Sequence, residues 1–154
     1  MTAINDIKAK FKTGDVIHGP VRVQTPERIE WYDSAMLSAA TGGLAQVGIN
    51  IHTDDEFAKS QGLKAVISDG MMMTGYCSEM MVRNFGMDYL TRGELRTKFI
   101  KPVYLRDTVH TLAKVLSTDP GENGTTVYKL DVWCENQDGV KVTDGDAKVT
   151  VGAV

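Results

Sequence analysis

The chain has 154 residues, 42% of them hydrophobic and 24% charged, with a formal charge of −3. That length suits one domain with a real core, and the acid excess excludes a nucleic-acid-binding surface, which needs a dominant basic field. No apolar run approaches a membrane span, the start MTAINDIKAKF lacks the apolar stretch of a secretion signal, and Cys77 and Cys134 form no CxxC pair or metal spacing, so a cytoplasmic chain with reduced thiols, no metal and no membrane partner is expected.

In chain order, a short extended segment, Pro20 to Gln24, comes first. Thr25 then offers an N-cap, Pro26 sits at the first helical position and Glu27 lies in the first turn, which predicts a helix with Ile29, Tyr32, Met36 and Ala40 on one face and a stop at Gly42-Gly43. An irregular stretch with Ala45 to Ile51 follows. Asp54-Asp55-Glu56-Phe57-Ala58 reads as a short helix closed by Gly62, its acids favoured by the helix dipole.

The segment VISDGMMMTGYCSEMMVRNFG begins at Val66. Met72, Met73, Tyr76, Met80 and Met81 recur at helical spacing, and Gly86 is the predicted stop. Glu79 is the one charge between Gly70 and Val82, so this helix is apolar nearly all round and must be buried. The rest reads as strand: Leu95 to Ile100, then Val109 to Leu116. A turn at residues 118–124 leads to Tyr128 to Cys134, and Asp138-Gly139 opens a last strand carrying Ala147, Val149 and Val151. Tight turns between consecutive strands imply antiparallel pairing. The expected fold is α+β, one domain over residues 1–154, with an antiparallel sheet wrapped around the apolar helix.

Three stretches resemble one family. His52-Thr-Asp54-Asp-Glu-Phe57-Ala58 is similar to H-x-D-x-x-F-A; Ile67-Ser-Asp69-Gly70-Met71 falls where a His-Gly-Met opens the central helix; Phe99-Ile-Lys-Pro102-Val103-Tyr-Leu-Arg106-Asp107 is similar to F-x-x-P-V-x-x-G-D. This is the pattern of the MaoC-like hotdog proteins, the (R)-specific enoyl-CoA hydratases and related acyl dehydratases, and the likeness spans roughly residues 14 to 151. The family loop before the histidine reads G-D-x-N-P-x-H, and its aspartate forms a catalytic dyad with the histidine. Here Asn50-Ile51-His52 keeps the Asn and the His, but no acid lies between Ser34 and Thr53. Asp69 stands for the family histidine and Arg106 for the turn glycine.

The resemblance implies a hydro-lyase acting on acyl thioesters, with no cofactor and with CoA or acyl-carrier-protein thioesters as substrate. His52 is then the base, Gly70 the backbone donor to the thioester oxygen, and Asp69 a candidate for the missing carboxylate. Asn50, Gln46, a backbone carbonyl or Asp69 is the expected anchor of the ring. Plainer readings stand beside these: a loop histidine serving a backbone group, Asp69 as helix N-cap, and Gly70 needed for packing.

Asn50 and Ser78 are candidate substrate contacts. Residues 91–107 carry five cations against two acids, so Lys98, Lys101 and Arg106 offer either a phosphate rim or a solvated strand face. Alternatives to the hydratase are a catalytically degenerate acyl-CoA-binding subunit of a heteromer and a hotdog thioesterase using Asp69 or Glu79. The resemblance also implies a homodimer or higher oligomer, with a heteromer as the other arrangement.

Overall fold

A 23-residue helix, α3 (Gly70–Arg92), forms the axis of the fold. In this computed structural model, which describes residues 10–43 and 48–152, α3 packs against all five strands of an antiparallel sheet. The strands are β1 (Val16–Val23), β2 (Gly93–Phe99), β3 (Thr108–Pro120), β4 (Thr126–Glu135) and β5 (Lys141–Val151), in the order β1-β3-β4-β5-β2. The expected α+β arrangement, a sheet around an apolar helix, is the one found. Met72, Met73, Met80, Met81 and Phe85 of α3 are almost fully buried against Val115, Leu130, Val132 and Val149 of the sheet. Their summed apolar burial dominates the stability of the fold. Cys77 and Cys134 meet in this core as free thiols with sulfurs 3.7 Å apart. Their mutual contact and burial push the Cys77 thiol far above its usual range.

Gly86 ends the apolar segment of α3, as predicted, and a second helical segment follows it. It adopts a non-helical conformation at φ 57°, which glycine reaches at little cost, and the helix resumes to Arg92. The second segment ends at Gly93, where an added Cβ would run into the carbonyl of Tyr89. Gly19-Pro20 sits at the irregularity of β1 between His18 and Val21, on an edge strand that tolerates a missing N–H.

Helix α1 (Pro26–Thr41) starts as predicted, with Thr25 Oγ accepting from the Arg28 N–H at 3.3 Å, and stops at Gly42 with φ 72°. Its inner face differs from the predicted one. Ile29 is buried and Tyr32 packs partly on the core, but Met36 and Ala40 are exposed, and the second buried position is Asp33. Helix α2 (Asp55–Ser60) is capped by Asp54, whose Oδ1 accepts from the Phe57 N–H at 2.7 Å. Of the irregular stretch, Ala45 and Gln46 lie outside the described residues. Among the described residues no helix is long and apolar enough to cross a membrane.

Arg106 occupies a turn closed by the Asp107 N–H on the Tyr104 carbonyl at 3.0 Å, with φ at 72°. A side chain there meets left-handed backbone strain of about 1 kcal/mol. Arg106→Gly is therefore expected to raise the urea midpoint of unfolding, since relief of strain outweighs the added chain entropy; a lowered midpoint would contradict the assignment.

Candidate active site

The three motif stretches converge. His52 Nδ1 lies 2.8 Å from the Ile67 carbonyl, and the Ile67 N–H donates to the Ile51 carbonyl at 3.2 Å. Ile67 also bridges to Tyr104, while the Ser68 N–H donates to Val103 and the Leu105 N–H to Val66. The histidine loop, the start of α3 and the turn before β3 are thus sewn into one rigid block.

A carbonyl only accepts, so Nδ1 carries a ring proton, and in the neutral ring Nε2 keeps a lone pair that meets no hydrogen-bond partner among the described residues. Of the expected anchors, the backbone carbonyl holds the ring. Asn50 shapes the loop instead, its Oδ1 accepting from the His52 N–H at 2.6 Å, and Gln46 lies outside the described residues. Asp69 caps α3, accepting from the Met71 N–H at 2.7 Å. Asp55 accepts from the Val66 N–H at 2.8 Å, which fixes α2 to the same block.

A cavity of about 350 Å³ opens beside this block. Its polar lining includes His52, Ser68, Gly70, Lys101 and Thr143, and Met73, Phe99 and Ile100 supply apolar wall. Gly70 is the first residue of α3, where backbone N–H groups have no partner within the helix and the dipole favours negative charge. The Phe99 ring lies directly over it: a Cβ built at Gly70 would sit 2.5 Å from Phe99 Cδ2. Lys101 is exposed at the rim.

Asn50, Asp69, Ser78, Lys98 and Arg106 do not line this cavity. Ser78 accepts from the Tyr89 hydroxyl at 3.2 Å, and Lys98 and Arg106 are exposed.

Three residues escape a reading of the sequence. Gln24 is fully buried at the end of β1, its Oε1 accepting from Ser68 Oγ at 3.2 Å and the Tyr76 hydroxyl at 3.3 Å. Its backbone also pairs with Arg106 and Asp107, so it fixes the α3 start to the turn before β3. Thr143 presents a buried hydroxyl at the cavity wall with no hydrogen-bond partner among the described residues. Asp33 is 9% exposed, and its Oδ2 is buried without a hydrogen-bond partner among the described residues. Burial raises the Asp33 pKa, the charge of His52 lowers it, and Asp69 raises it again. The Tyr32 hydroxyl is raised by burial and then by Asp69 and Asp33. The one signal in the sequence is spacing: Asp33 stands four residues after Ile29, on the same helix face.

A helix wrapped by an antiparallel sheet, with a histidine loop tied to the helix start, defines a hotdog protein. The MaoC like domain model matches residues 49–144, and the chain belongs to that family. A protein of Bacillus subtilis (strain 168) called uncharacterized protein YdeM is 27% identical over 104 residues, covering 66% of this chain and 74% of that one. The fold is similar to that of the MaoC-like dehydratase from Rhodospirillum rubrum, with TM-score 0.72, 16% identity and 94% of each chain covered. It is also similar to the (R)-hydratase from A. caviae involved in PHA biosynthesis, with TM-score 0.68, 18% identity, and 93% of this chain and 98% of that one covered.

Proposed function

We propose that this chain adds water to, or removes it from, the C2–C3 bond of an acyl thioester, with CoA or an acyl carrier protein as the thiol and no cofactor. The observation that carries the reading is His52. Its Nδ1–H is committed to Ile67, its Nε2 has no hydrogen-bond partner among the described residues, and its ring shares a cavity with the N-terminus of α3. In hydration, the water oxygen bonds to C3 while Nε2 takes the water proton. The C2–C3 π electrons move toward the thioester oxygen, which the Gly70 N–H and the α3 dipole stabilise; C2 then takes the proton back from the His52 Nε2–H, which restores the neutral ring. Lys101 at the rim suits a phosphate of the carrier arm.

Two observations weigh against a thioesterase. Asp69 is engaged in capping α3, and Glu79 is engaged with Arg22 at 2.9 Å and Arg83 at 2.5 Å, away from the cavity. A catalytically degenerate subunit has one observation in its favour, since no carboxylate is among the described residues that line the cavity. The β2 edge, hydrogen-bonded on one side to β5, is open to a second copy or a homologous chain.

The test is purified protein with a panel of enoyl- and 3-hydroxyacyl-CoAs. Loss of enoyl absorbance without thiol release supports the reading, and thiol release refutes it. Turnover that appears only with a co-expressed homologous chain supports the subunit.

A further inference from the structure

Thr143 is the residue of the cavity wall that packing does not explain. On β5 it shares a face with Ala147 and Val149, and all three are buried almost completely. Valine has the same branched shape, and both residues favour strands, so the fold accounts for the methyl group of Thr143 and leaves its hydroxyl without a reason. That hydroxyl is buried and meets no hydrogen-bond partner among the described residues, a state that costs stability. Sheet register fixes where it stands: Thr143 pairs with Cys134 of β4 on one side and with Phe99 of β2 on the other. The Phe99 ring in turn lies over Gly70. The Thr143 position, the ring and the first residue of α3 are therefore adjoining parts of one cavity wall.

The other polar side chains of that wall are committed or lie outside it. His52 Nδ1–H is held by the Ile67 carbonyl, Ser68 gives its one hydroxyl proton to Gln24 Oε1 at 3.2 Å, and Lys101 is exposed at the rim. Among the described lining residues, Thr143 is left as the uncommitted neutral donor of the interior. The proposed chemistry calls for one. An enolate oxygen accepts more than one hydrogen bond, and Gly70 offers a single backbone N–H. Resting on the hydration reading above, we infer that Thr143 is a second oxyanion donor, whose hydroxyl donates to the thioester oxygen beside the Gly70 N–H. A neutral donor suits the place, because a cation there would oppose protonation of the His52 ring in the same cavity.

Thr143→Val keeps the shape and removes the donor. It is expected to lower kcat for hydration on the order of 10²-fold with KM little changed, since the bond strengthens as charge develops on the oxygen. The thermal midpoint should hold or rise, because the buried unpartnered hydroxyl is gone. Thr143→Ser keeps the donor and should retain most of the rate. A hydroxyl with a merely structural role would show the reverse, a lower midpoint and an unchanged kcat.

A second readout needs no turnover. Infrared difference spectra of a bound saturated acyl-CoA, isotope-labelled at the thioester carbonyl, report hydrogen bonds to that oxygen directly. The stretch should lie lower in the wild type and in Thr143→Ser than in Thr143→Val. Equal frequencies in wild type and Thr143→Val, or wild-type kcat in Thr143→Val, overturn the inference and leave the hydration reading standing. A carbonyl stretch that depends on Thr143 in a chain that hydrates no acyl thioester overturns the hydration reading and keeps the contact. A chain that neither binds nor hydrates an acyl thioester overturns both.

Discussion

His52→Gln is expected to lower kcat/KM for thioester hydration by about 10³-fold, within the range that a positioned acid–base group supplies. Glutamine is the informative replacement. Its amide N–H donates to the Ile67 carbonyl as Nδ1–H does at 2.8 Å, so the block formed by the loop, the α3 start and the 103–105 segment is kept. What glutamine lacks is a nitrogen that takes a proton near neutral pH. The thermal midpoint and KM should therefore change little while kcat collapses, the signature of an interaction made in the transition state. Steady-state kinetics and a melting curve on the same sample check this. Equal loss of kcat and of folded protein would instead assign His52 to structure.

Gly70→Ala is the second large effect. The added Cβ would lie 2.5 Å from Cδ2 and 2.7 Å from Cγ of Phe99, closer than carbon atoms approach, so the ring must leave. Phe99 is 46% exposed and free to swing outward, which limits the cost to folding. The cavity wall that the ring forms moves with it, and a displacement of that size beside a reacting group costs about 10²-fold in rate. The expected result is a fall of that order in kcat/KM with a small change in thermal midpoint. Removing the ring separates steric displacement from loss of the helix terminus. In a Phe99→Ala background, Gly70→Ala should cost several-fold less, a coupling that a double-mutant cycle reads directly. Additive effects would mean that the two residues act independently.

The sequence discloses those parts of the fold and site that rest on local rules. The Thr25-Pro26 start of α1, its stop at Gly42, the burial of α3 and the hairpin at Asp138-Gly139 follow from capping, periodicity and turn chemistry. Gly86 ends the apolar segment as its sequence implies, but the second helical segment up to Gly93 escapes a reading of the chain, because its end depends on the Tyr89 carbonyl packed against it. The inner face of α1 misleads for a related reason. Periodicity places Met36 and Ala40 inward, but α1 meets the core only through its first half.

At the site, the motif histidine and the helix-start glycine are legible as residues. What anchors and surrounds them is not. The Ile67 carbonyl that fixes the His52 ring is backbone and leaves no trace in residue identity. Gln24 reaches the α3 start from the end of β1, so its role depends on tertiary approach. The absence of an acid between Ser34 and Thr53 is real, and Asp33 lies one residue outside that window.

The most direct measurement is hydration in heavy-oxygen water, with an enoyl-CoA substrate and mass spectrometry of the products. The account predicts 3-hydroxyacyl-CoA carrying one heavy oxygen at C3, with the thioester intact and label accumulating about 10³-fold more slowly in His52→Gln. Heavy oxygen in a released carboxylate, or none in any product, would contradict it.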